Sequence, residues 1–139
     1  MIWETYQKKI QIEARVFGDL SMNHIIPVCT NYQSRLAKNV QSMFDIFPHE
    51  TAEKLTSRNK KIIAEIAERT QIIENGVEEL VEARRVANRI EDEHLKAIAY
   101  HDTVAPKMEE IRYHIDKLEL IVADELWTLP KYRELLFVR

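Results

Sequence analysis

A single cysteine, Cys29, stands in this chain of 139 residues, which leaves no partner for an intrachain disulfide and too few thiolates for a metal site. It reads as a buried small hydrophobe in a reducing compartment. Glycine is scarcer still for its usual role: Gly18 and Gly76, with prolines at 27, 48, 106 and 130, cannot punctuate the many short strands of a sandwich or barrel. No run of about 18 apolar residues exists, and the start, Met1, Ile2, Trp3, Glu4, is no basic leader. That excludes a membrane span of the helical kind and a signal peptide. A formal net charge of -3 also lacks the basic footprint that a phosphate backbone demands, so nucleic acid is excluded as a partner.

What is present is helical. Hydrophobic residues at 45% are enough for a core and exclude general disorder, while 31% charged residues call for much solvated surface, as on long thin helices. The expected fold is a single all-α domain over residues 1–139, an elongated helical bundle with a long antiparallel coiled-coil hairpin and a short C-terminal helical tail.

Periodicity predicts helices over about 2–18, 20–47, 50–88, 91–126 and 130–137. In the first, Ile2, Tyr6, Ile10 and Phe17 recur at helical spacing, and Gly18 with Asp19 offers a stop. In the second, Pro27 sits near a first turn or marks a kink. The third and fourth carry the clearest seams: Ile63, Ile66, Thr70, Ile73, Val77, Leu80, Arg84 and Ala87, then Ala97, His101, Val104, Met108, Ile111, Ile115, Leu118 and Val122. Those two are expected to form the long hairpin, with Asn88 left-handed at its turn and Asp92 capping the return. The fourth seam keeps its phase through Pro106, which predicts a kink there or a fresh cap at Thr103. Gly76, in mid-helix, reads as a place of close helix packing or of simple tolerance.

Few residues offer chemistry. Glu91 and His94 make the E-x-x-H spacing of carboxylate-bridged metal centres, but that is half a site, since Glu110 and His114 stand four apart and no second pair exists. His101, in the seam beside Asp102, reads as a register-setting polar residue, and Arg84 as a side chain snorkelling near the hairpin tip. No nucleophile elbow, glycine-rich phosphate loop or HExxH occurs. The segment IRYHIDKLELI is similar in pattern to helical chorismate mutases, which would put Arg84, Arg112 and Lys117 in an isomerase site. A free-standing coiled-coil adaptor is the other alternative.

Two stretches go beyond periodicity. WETYQKKIQIEARVFGDLSMNHIIPVCTNYQSRLAKNV at 3–40 and DKLELIVADELWTLPKYRELLFVR at 116–139 resemble the C-terminal helical region of type III glutamine synthetases, the large bacterial form. ANRIEDEHLKA and YHDTVAPKM look family-like as well, while 48–86 match only by pattern. Thr128 departs from the proline usual there, and Phe17 and Ser21 depart in size. The resemblance implies a piece from the end of a cytoplasmic ATP-dependent ligase that joins ammonia to glutamate through a γ-glutamyl phosphate, with ATP and magnesium or manganese bound in the parent enzyme. It implies the catalytic region of the same polypeptide and neighbouring subunits of a ring assembly as partners. No catalytic, cofactor or metal residue carries over onto this sequence, and the amphipathic pattern starting at Ile2 reads as a chain cut from something longer. The residues expected to matter are packing residues. Trp127, Leu129, Pro130, Tyr132, Leu135, Leu136 and Phe137 form an apolar tail, expected to dock on the first helix around Trp3, Tyr6 and Ile10.

Overall fold

The structure is a computed structural model, and it describes residues 2–127. Its elements are α1 (Ile2–Leu20), α2 (Ile26–Ile46), α3 (His49–Asn88), α4 (Glu93–Ala99) and α5 (Ala105–Ile121), with a single 3-10 turn at Asp124–Leu126. The fold is all-α, as composition and periodicity require. Wide π turns at Ser21–Ile25 and Tyr100–Val104 join α1 to α2 and α4 to α5, so the chain makes three helical rods.

The first rod runs on where a stop at Gly18 and Asp19 was expected. Gly18 lies inside α1 without a bend, and a Cβ there would make only an ordinary contact with Val77 at 3.6 Å. The π turns explain how the rods pass Pro27 and Pro106. A proline in a helix has no N–H to give, and its ring collides with the carbonyl four residues back. In both rods the residue just before the proline bonds five residues back instead, Ile26 N–H to the Ser21 carbonyl and Ala105 N–H to the Tyr100 carbonyl. The wider turn also keeps the buried stripe on one face. Phe17, Ser21, Ile25 and Cys29 are all buried at successive steps of four, a spacing that would drift around an uninterrupted α-helix.

Side-chain pairs fix the topology. Gln33 Nε2 donates to the Ile63 carbonyl at 3.0 Å and Asn59 Nδ2 to Asn39 Oδ1 at 3.1 Å, so α3 returns antiparallel along α2. Lys107 meets Glu79 at 2.6 Å and Arg69 meets His114 at 2.9 Å, so the third rod is antiparallel to α3 as well. Trp3 lies against His94 and Arg35 pairs with Glu125 at 2.6 Å, which sets the third rod parallel to the first. The result is an up-down-up bundle. Its core is Phe17, Ile25, Cys29, Ile66, Ile73, Leu80, Tyr100, Val104, Met108, Ile111, Ile115 and Leu118.

The hairpin that projects is therefore α2–α3, turning at Phe47 and Pro48, and not the pair around 88–92. Level with Arg35 the third rod has already ended in the turn at Asp124–Leu126. Beyond that level α2 and α3 hold each other alone among the described residues, through Leu36, Ala52, Thr56 and the Asn39–Asn59 pair. The turn at 88–92 is instead braced by α1, with Gln7 donating from its amide to Glu93. Asp92 caps α4, its carboxylate accepting from Leu95 N–H at 2.8 Å. Asn88 is an ordinary last helical residue, since no described residue other than glycine has positive φ.

Candidate functional site

The first rod's opening turns meet the start of the third. Trp3 lies tilted against His94 with ring centroids 4.5 Å apart, and Tyr6 faces His101 at 6.4 Å. Ile2, Trp3, Tyr6, Ala97, Ile98, His101 and Asp102 line an apolar cleft of about 250 Å³ between them. Tyr6 and Ile10 are half-buried against the core, whereas Trp3 keeps 49% of its surface exposed. Burial pushes the Tyr6 phenol upward, helped by the nearby charges of Glu13 and Asp102.

Trp127 is half-buried against the same core from the other end of the bundle. Leu129, Pro130, Tyr132, Leu135, Leu136 and Phe137 lie outside the described residues, and with them the expected docking of the tail.

The residues weighed for chemistry do not converge. Glu91 is solvated and His94 is stacked on Trp3. His101 is exposed, bonded at 3.0 Å to Asp102, and is not in the seam. The wide turn puts Tyr100 there instead, fully buried, with its hydroxyl donated to Asn88 Oδ1. The signal for Tyr100 is the spacing 97, 100, 104, 108, which fits a helical period as well as 97, 101, 104, 108 does. Arg112 pairs with Glu109 at 2.9 Å, and Lys117 lies 5.4 Å over the Tyr113 ring. Both belong with Arg69 and His114, about 22 Å along α3 from Arg84 at ~1.5 Å per residue. No shared pocket joins them, and the isomerase arrangement is not built.

Cys29 is wholly buried, and desolvation, aided by the charge of Glu119, pushes its thiol up to about 12. It is inert packing, with little thiolate to react. His114 accepts from the Arg69 guanidinium at Nδ1, and burial first, then the Arg69 charge, hold its protonation below the usual range. No group of three or more His, Cys, Asp or Glu side chains placed to hold a metal ion occurs among the described residues. The described residues therefore present no donor set of the kind magnesium or manganese takes, and the sequence has no glycine-rich run of the kind that cradles ATP phosphates. No helix among the described residues is long and apolar enough to cross a membrane.

What the described residues define is an all-α helical domain of three rods in up-down-up order. The family described as glutamine synthetase C-terminal domain matches residues 1–44, so α1, the first π turn and most of α2 carry that family's pattern. The chain is 48% identical over 136 residues to a glutamine synthetase of Bacteroides fragilis (strain YCH46), covering 98% of this chain and 19% of that one. It is 29% identical over 139 residues to the type-3 glutamine synthetase of Dictyostelium discoideum, covering 100% of this chain and 19% of that one. The chain spans about a fifth of the length of the curated relatives it matches. These matches bear out the resemblance to the C-terminal region of type III glutamine synthetases.

Proposed function

We propose that this chain is a structural and oligomer-shaping C-terminal domain of a type III glutamine synthetase. The ligation itself, ammonia to glutamate through a γ-glutamyl phosphate at the expense of ATP with magnesium or manganese, takes place in a catalytic region elsewhere in the parent polypeptide. This domain packs against that region and against neighbouring subunits of a cytoplasmic ring assembly, and alone it is no ligase. The observation that carries the reading is 48% identity along nearly the whole chain to a glutamine synthetase of which it spans only 19%. The three-rod frame suits such a role, because its ends present apolar surface, Trp3 and Ile98 at one and Ile46, Phe47 and Leu55 at the other.

Two measurements test it. The purified chain, given ATP, glutamate, ammonium and magnesium, should form no glutamine above background, because phosphoryl transfer needs positioned cations and clamps. Removing the equivalent stretch from the Bacteroides fragilis relative should shrink its assembly in sedimentation. Unchanged assembly after the deletion overturns the structural role.

A further inference from the structure

The end of α3 carries more positive charge than its surroundings neutralise. Val81, Arg84, Arg85, Asn88 and Arg89 line an open groove of about 430 Å³ along its last two turns. Arg85 is tied at 3.0 Å to Glu82. Among the described residues Arg89 has no ion pair within 4.0 Å. Arg84 stands between groove and core, its guanidinium beside the buried Tyr100 hydroxyl, which donates its own proton to Asn88. The Arg84 Nε is buried and has no hydrogen-bond partner among the described residues.

Arginines near a helix C-terminus are favoured by the helix dipole, and that accounts for Arg85 and Arg89. It does not account for Arg84. A guanidinium N–H withdrawn from water with nothing to receive it is costly, and such groups in native structures are matched by an acceptor. The Tyr100 hydroxyl, while donating to Asn88, also accepts from the Arg84 guanidinium, which holds Arg84 in place and leaves its Nε N–H unmatched. Three guanidiniums against one paired carboxylate, one of them half-buried and held by Tyr100, is the arrangement that takes a planar or tetrahedral oxyanion by forked hydrogen bonds.

We propose that Arg84, Arg85 and Arg89 form an oxyanion-binding site, with Arg84 Nε as its buried donor and Tyr100 and Asn88 as the positioning pair. The ligand is a phosphate or carboxylate group, arriving either on a small phosphorylated molecule or on an acidic side chain of a polypeptide. The site belongs to this chain alone and does not rest on the reading given under the proposed function.

Thermal unfolding of the purified chain tests it, with inorganic phosphate, pyrophosphate and succinate as probes and sodium chloride at matched ionic strength as the reference. At ten times its dissociation constant a bound probe should raise the midpoint by about 3–6 °C, saturably, while chloride does not. Arg89→Gln and Arg84→Gln should weaken that binding at least fivefold, and Arg35→Gln at the far end of the bundle should leave it unchanged. Should Arg84→Gln fail to fold, Arg89→Gln decides alone, because its exposed side chain bears no packing load. A preference for pyrophosphate assigns the site to phosphorylated molecules, and a preference for succinate assigns it to carboxylates. No saturable shift with any probe, or equal shifts in the variants, overturns the site.

Discussion

At position 76 the side chain is a single hydrogen because α3 and α5 meet there. A Cβ would stand 2.8 Å from Ile111 Cγ1, in a part of the core where Ile111 is wholly buried and has nowhere to move. Gly76→Ala gains about 1 kcal/mol in helix propensity but overpacks the seam by ~1–3 kcal/mol, so a net loss of about 1 kcal/mol is expected in denaturant titrations. At Gly18 the same methyl would sit 3.6 Å from Val77 Cγ1, an ordinary contact, and Gly18→Ala should stabilise by about 0.5–1 kcal/mol. A shift of the same sign in both would contradict the close approach. His114 supplies a second residue-scale test. Its protonation is held below the usual 6.5 in the folded chain, so the unfolded chain binds the proton first. Its contribution to stability is complete above the unfolded value, is lost as pH falls through about 6.5, and levels off below the folded value. His114→Asn keeps an acceptor toward Arg69 but cannot titrate, and the difference in stability between the two proteins should change across that window. A difference flat from pH 8 to 5 would refute the shift.

Elements were legible where one period governed them and misread where it changed. The heptad Ile66, Ile73, Leu80, Ala87 stood plainly in the sequence, and all four are buried. Tyr100 and His101 both fit the helical period between Ala97 and Val104, and the wide turn at Tyr100–Val104 brings Tyr100 inward. Gly18 and Asp19 look like a stop because glycine marks ends, whereas here Gly18 lies inside a continuous helix with room for a methyl beside Val77. The third rod runs antiparallel to α3, as the two seams predict, but α2 does so as well. Both α2 and the third rod complement its seam, and periodicity alone cannot say which of them accompanies α3 to its far end. Only the turn chemistry at Phe47 and Pro48 pointed to α2. From the structure, the outer part of the α2–α3 hairpin is held by one interface where the rest is held by two. Backbone amides of 40–56 should exchange with solvent faster than those of 66–80 and 104–118 by at least tenfold, in hydrogen-exchange mass spectrometry of the whole chain. Equal protection along α3 would show that another contact covers the hairpin.

For the whole molecule, the class of fold followed from what composition forbids, and family from two stretches at the chain ends that no periodicity explains. The candidate site was less legible. Arg84 looked like a snorkelling side chain because the sequence cannot show that its neighbour in the third rod is a buried tyrosine, nor that Arg85 and Arg89 share its groove. The up-down-up order has one more effect. α1 and α4 both begin at the end where α3 finishes, so two of the three helix dipoles cancel only one partner and the bundle keeps the moment of a single helix. That moment places about half a unit of positive charge at the end bearing Arg84, Arg85 and Arg89. In a molecule of net charge -3, an approaching anion is thus repelled by the whole and oriented toward one pole.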